Sequence, residues 1–171
     1  MPVWEWQEIQ KVLWAMMHIR PAHASDAQII ARVVRAAQIN PFDLDWRRFL
    51  VAEDDGPSTS FRMIVGIGQV KPHRNGSREL ASLAVIPARQ GQGIGSALVR
   101  ALLVRERGDV FLMCRDALES YYARFGFRRV ERDGMTPYFR RITRLMSVFA
   151  RVAGRRGIVM KRERRTSDDK G

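Results

Sequence analysis

The chain has 171 residues, the span of one ordinary domain, and its 46% apolar content fills a core and excludes global disorder. Lys and Arg number 30 against 18 Asp and Glu, a formal +12 that suits a polyanionic ligand or nucleic acid. A single cysteine, Cys114, excludes a disulfide framework and a multi-cysteine zinc site, and His18, His23 and His73 lack metal-ligand spacing, so no metal is expected.

In chain order, residues 1–16 come first. Trp6, Ile9, Leu13, Met16 and Met17 recur at helical spacing and predict an appended amphipathic helix, suited to a homodimer contact. Glu5 and Glu8 with no basic stretch argue against a secretory or transit segment, and no apolar run reaches about 18 residues, so no membrane span is expected. The lone thiol fits a cytoplasmic setting. Residues 17–163 read as the main domain. MHIRPA is a short strand ending at Pro21, and Ser25-Asp26 caps a helix carrying Ile29, Ile30, Val33 and Val34, broken by Asn40-Pro41. After a loop or short helix, INPFDLDW, comes the strand RFLVAED. FRMIVGIGQVKPH and RELASLAVIP are then β-rich runs joined at Asn75-Gly76, whose pairing predicts a hairpin turn with two positive φ values. Gly66 and Gly68 predict a bulge in the first of these.

The stretch after Pro87 carries the chemistry. Arg89-Gln90-Gly91-Gln92-Gly93-Ile94-Gly95-Ser96 is a glycine-rich loop, and Ala97 to Leu103 continues as helix. A helix opening this way presents unpaired amides at its electropositive end, and glycines remove the Cβ atoms that would hold a phosphate away. A Walker loop would need a lysine followed by Ser or Thr, and none is present. The dinucleotide fingerprint fails too: its third glycine is replaced by Ser96 or Leu98, and the preceding strand belongs to a hairpin.

Gln90-x-x-Gly93-x-Gly95 after the strand LASLAV resembles motif A of the GNAT superfamily of N-acetyltransferases. Asp109 to Cys114 reads as the next strand. Ala117 to Phe127 then contains Tyr121-Tyr122 and Gly126-Phe127, similar to the family's aromatic-Tyr-x-x-x-Gly-Phe helix end. The resemblance runs from about Met17 to Arg162. It implies an α+β fold, a mixed and mostly antiparallel central sheet flanked by helices. The departures are the N-terminal helix and an Arg-rich helical insertion, Pro137 to Val152, before the last strand GIVMKR.

The resemblance also implies acetyl-CoA as acetyl donor and an amine as acceptor, on a small molecule or a protein. The main chain from Gly91 through Ser96 would hold the pyrophosphate, with side-chain help from Arg89 and Gln90. Leu83 and Val85 would pair with the pantetheine arm as an added strand does, and Arg124 would meet the 3′-phosphate. An amine of pKa about 10.4 is neutral only about once in 2,500 molecules at pH 7, so a base helps; Glu79, on the strand feeding the loop, is the candidate. Tyr122 is the candidate acid for the departing thiolate, since a phenol keeps its proton at neutral pH. Against these stand plainer readings: Glu79 in an ion pair with Arg74 or Arg78, and Tyr122 as packing beside Phe125. Cys114 reads as a small buried hydrophobe, and His73 as a loop residue at the hairpin end. Asn40 to Trp46 and Met135 to Arg144 are positional candidates for the acceptor site.

The charge is concentrated at one end. From Arg128 onward there are 14 Lys and Arg against 5 Asp and Glu, +9 in 44 residues, and residues 164–171 form a polar tail. A solvated basic tail accounts for this; a nucleic-acid or ribosome-binding module is the alternative, and a non-catalytic acetyl-CoA sensor is a third reading.

Overall fold

A computed structural model describes residues 17–55, 62–144 and 157–163. The helix expected in residues 1–16, the turn after Asp55, the insertion beyond residue 144 and the tail 164–171 lie outside these. Seven strands hydrogen-bond in the order β1-β2-β3-β4-β5-β7-β6. The chain divides into two compact units, the first reaching Gln69 and including Ser82–Leu102, the second taking Val70–Ala81 and the residues from Leu103 on.

In the first unit, β1 (Met17–Pro21), β2 (Phe49–Asp55) and β3 (Arg62–Pro72, up to Gln69) form antiparallel ladders. Helix α1 (Ala27–Ala36) buries Ile30 and Val34 in a core with Phe49, Val51, Ile64 and Ile67, and Leu44 and Trp46 pack at its edge. Each such apolar side chain contributes about 1.5–3 kcal/mol over its exposed state. Asp26 does not cap α1 through a helix amide. It accepts from the His23 amide at 2.7 Å and from Arg20 Nη1 at 2.7 Å, and Arg20 also grips Glu53, tying β1, β2 and the helix entry together. That guanidinium holds the Asp26 carboxyl below the usual carboxylate range. The helix stops at Ala36, four residues before Asn40-Pro41, because Gln38 already turns left-handed at φ 54°.

The ladder of β2 and β3 pairs Ala52 with Gly66 and Glu53 with Ile64, so the extra residue of the bulge is Val65, beside the glycine expected to mark it. Gly66 and Gly68 do something else. A Cβ on Gly66 would lie 3.0 Å from both Ile94 Cγ2 and Leu98 Cδ1, and one on Gly68 would lie 3.0 Å from Leu102 Cδ1. The missing side chains let α2 (Ile94–Val104) lie close against β3. This helix begins three residues earlier than the expected Ala97.

In the second unit, the Arg78–Ala81 part of β4 (Arg78–Val85) runs parallel to β5 (Val110–Arg115) for three pairs, from Arg78 with Val110 to Leu80 with Leu112. β4 continues five residues past the last pair. β5 then pairs along its whole length with β7 (Gly157–Arg162), which also takes β6 (Arg128–Arg129), a strand the sequence did not signal. Phe111, Phe139 and Val159 make the local core, with Phe139 contributed by α4, the helical residues 137–144 of the expected insertion. The helix carrying Tyr122, α3 (Glu119–Ala123), is only five residues long and ends at Ala123, and the turn that follows closes at Gly126, which adopts the expected left-handed conformation at φ 84°. Mixed, mostly antiparallel strands with flanking helices are what the α+β expectation requires.

The β3–β4 turn differs from expectation. Gly76 has φ 79°, but Asn75 is not left-handed, and the Gly76 amide donates to His73 O at 2.9 Å while the His73 amide donates to Ser77 O at 2.9 Å. This is a three-residue loop with a glycine bulge, not the two-residue turn; the Asn75 side chain is spent on Ser77, accepting from its amide and hydroxyl.

Gly66→Val should destabilise the fold by about 1–3 kcal/mol, through overpacking against Ile94 and Leu98. A lowered denaturant midpoint at unchanged slope is the expected result of urea unfolding.

Candidate functional site

The glycine loop belongs to the first unit. β4 ends at Val85, a single turn of 3-10 helix covers Pro87–Arg89, and Gly91 and Gly93 then take φ of 76° and 83°. Any other residue would be strained in those conformations. A Cβ on Gly91 would meet nothing within 4 Å, so that turn opens on free space. At the helix start, the Ala97 amide reaches Gly93 O at 3.0 Å as the first helical bond, which leaves the amides just before it without the carbonyls that later turns have. Glycine turns, an open approach and a cluster of amides at the positive end of an eleven-residue helix fit a diphosphate.

The side chains beside the loop are engaged by the protein itself. Arg89 forms an ion pair with Asp54 on β2, with its Nε buried and lacking a partner, and Gln90 Nε2 donates to Val85 O at 3.0 Å. Main chain, rather than Arg89 or Gln90 side chain, is what the loop presents. Leu83 is half-buried and would touch a Cβ on Gly68 at 3.2 Å. Next to it Ser82 adopts φ 53°, a left-handed kink inside β4, and its hydroxyl accepts from the buried Gln69 Nε2 at 3.0 Å. Neither Ser82 nor Gln69 was legible as special, since nothing about a serine in LASLAV signals positive φ.

The second unit holds Glu79, Tyr122 and Arg124. Glu79 is 8% exposed and its Oε2 lies 2.8 Å from His73 Nε2. The expected ion pair with Arg78 or Arg74 is not what forms: Arg78 makes a fork with Glu106, at 2.7 and 2.8 Å. The His73 ring stacks on Tyr138 of α4 at 3.8 Å and meets the edge of Phe139 at 5.9 Å, so the histidine read as a loop residue lies in the hairpin loop and is also a half-buried partner of the candidate base. Tyr122 lies edge-on to Tyr121 and Phe127, and burial, with nearby Cys114 adding, pushes its phenol above the usual value. It keeps its proton throughout the neutral range. Arg124 folds back over the Tyr121 ring at 4.8 Å on an exposed face. Of the described basic groups in the last quarter, Lys161 pairs with Asp109 at 2.8 Å and Arg129 lies within 4 Å of Glu119 and Glu131. No described helix is long and apolar enough to cross a membrane.

Residues 45–129 match the family model for the acetyltransferase (GNAT) domain. The chain belongs to the GNAT acetyltransferase superfamily. Within it, the chain is 34% identical over 110 residues to mycothiol acetyltransferase of Nocardia farcinica, a match covering 63% of this chain and 34% of the relative. Its fold is similar to that of N-acetylglutamate synthase from Neisseria gonorrhoeae, solved with coenzyme A and L-arginine (TM-score 0.67, 20% identity, 88% of this chain and 34% of that one). It is also similar to Rv2747 from Mycobacterium tuberculosis, solved with CoA (TM-score 0.65, 24% identity, 85% and 98%). The chain thus spans about a third of the length of the mycothiol enzyme and of the synthase. The expected GNAT fold is borne out.

Cys114 gives the GNAT domain a direct chemical test. Burial, helped by Glu119 and Asp116, pushes its thiol up to about 11, with Met160 Sδ 4.0 Å from its sulfur. Because the thiolate is the reactive form, alkylation of the native protein at pH 8 should be on the order of a hundredfold slower than after unfolding. The native rate should climb with pH toward 11, and mass spectrometry of iodoacetamide-treated samples measures it.

Proposed function

We propose that this chain transfers an acetyl group from acetyl-CoA to a primary amine by direct attack of the amine on the thioester. The glycine loop carries the reading: Gly91 and Gly93 turn left-handed ahead of α2, and a Cβ on Gly91 would meet nothing within 4 Å. Gly91, Gln92, Gly93, Ile94, Gly95 and Ser96 would hold the pyrophosphate by main chain. Leu83 and Val85 lie on the part of β4 that runs on past its pairing with β5, where a pantetheine amide can add as a short strand. Acetyl-CoA supplies the activated acyl group and a thiolate that must leave. Glu79 takes the proton that the amine loses, and Tyr122, held protonated by burial, gives one to the thiolate. The acceptor class is an amine-bearing small molecule or a protein amine. The names of the relatives, a mycothiol acetyltransferase and an N-acetylglutamate synthase, support the small-molecule arm.

Acetyl-CoA at a hundred times its dissociation constant should stabilise the protein by about 2.7 kcal/mol, read as a rise in melting temperature. No rise with millimolar acetyl-CoA or free CoA overturns the proposal. A screen of amino acids, amines and peptide N-termini, read by release of CoA thiol, identifies the acceptor. With that acceptor, Tyr122→Phe should lower kcat about a hundredfold and leave acetyl-CoA affinity within about twofold. An unchanged kcat across the pH range removes Tyr122 as the acid.

A further inference from the structure

We infer that His73 is a positioning residue for Glu79, fixing the carboxylate that receives the amine's proton; this rests on the acetyl-transfer reading above. Glu79 is buried, and a buried carboxylate needs hydrogen-bond partners to remain in one orientation. His73 Nε2 lies 2.8 Å from its Oε2, and both side chains are nearly nine-tenths shielded from solvent. The other basic neighbour in sequence, Arg78, is committed to Glu106 through two bonds.

The imidazole is itself held from two directions. Its backbone closes the hairpin, donating to Ser77 O and accepting from the Gly76 amide, and Asn75 braces Ser77. Its ring is clamped by the face of Tyr138 and the edge of Phe139. Phe139 is fully buried and stacks on Phe111 of β5 at 5.1 Å, so the clamp is anchored in the local core. A ring that cannot swing gives the carboxylate a fixed partner. With Oε2 committed to His73, the incoming proton is taken on Oε1. The inserted helix α4 therefore does more than fill space: through Tyr138 and Phe139 it sets the aim of Glu79.

The test compares His73→Phe, which keeps a flat ring against Tyr138 and loses the hydrogen bond, with His73→Gln, which keeps a polar terminus. CoA-thiol release with the acceptor found in the screen gives the rates. His73→Phe should lower kcat about 10- to 50-fold while KM for acetyl-CoA stays within twofold, and His73→Gln should restore kcat to within about fivefold of wild type. Glu79→Gln and Glu79→Gln/His73→Phe should have equal kcat, because the histidine acts only through the carboxylate. A His73→Phe kcat within twofold of wild type overturns the inference, as does a further tenfold loss on top of Glu79→Gln. Should His73→Phe fail to melt cooperatively, His73→Gln and Glu79→Gln/His73→Gln decide: equality of the double variant with Glu79→Gln supports positioning, and an added loss overturns it. Wild type without turnover on any amine defeats the acetyl-transfer reading and this inference together, whereas an active wild type with an unaffected His73→Phe defeats this inference alone.

Discussion

An α-helix cannot satisfy the amides of its own first turn, and the arrangement around α2 is organised by that constraint. The glycines before the helix let the chain turn without placing a side chain over those amides, with Gly91 and Gly93 in conformations other residues resist. The glycines of β3 act on the same helix from the side, since Gly66 and Gly68 leave room for Ile94, Leu98 and Leu102. One set of glycines shapes the turn into the helix and the other keeps its flank seated. A loose helix would offer the same donors in scattered directions, and preorganised donors are worth more than mobile ones.

The second unit works by a different rule. There polar side chains of β4 are held by side chains from other segments. Arg78 meets Glu106 just past the end of α2, and Glu79 meets His73 across the hairpin. Neighbouring residues on β4 thus point to separate partners, as alternation along a strand requires. Tyr122 sits in aromatic surroundings that keep it neutral.

The glycine loop and the Gly126 stop were legible because glycine placement records backbone geometry directly, and the last strand, GIVMKR, was legible from its apolar run. Partnerships were not. Arg89 pairs with Asp54, thirty-five positions earlier, and Tyr138 returns to cover His73 from sixty-five positions later; no local pattern carries either. The Asn75-Gly76 turn was placed correctly and typed wrongly. Asn-Gly favours the two-residue form, but here Asn75 uses its side chain on Ser77 and leaves the left-handed conformation to Gly76 alone. Gly66 pointed to the right neighbourhood for the bulge, yet its own role is steric, visible only with α2 in place.

The strand order carries a consequence for how the second unit assembles. β7 is the last described strand in sequence, yet it lies between β5 and β6, pairing along all six residues of β5 and both residues of β6. Until it arrives, β5 shows a bare hydrogen-bonding edge to solvent, and β6 has no ladder at all. Closure must wait for a segment more than forty residues beyond β5, a long-range step of the kind that slows folding and leaves a nascent chain open to mispairing. Insertion of β7 is thus the keystone event, after which neither flanking strand can recruit a foreign one on that side.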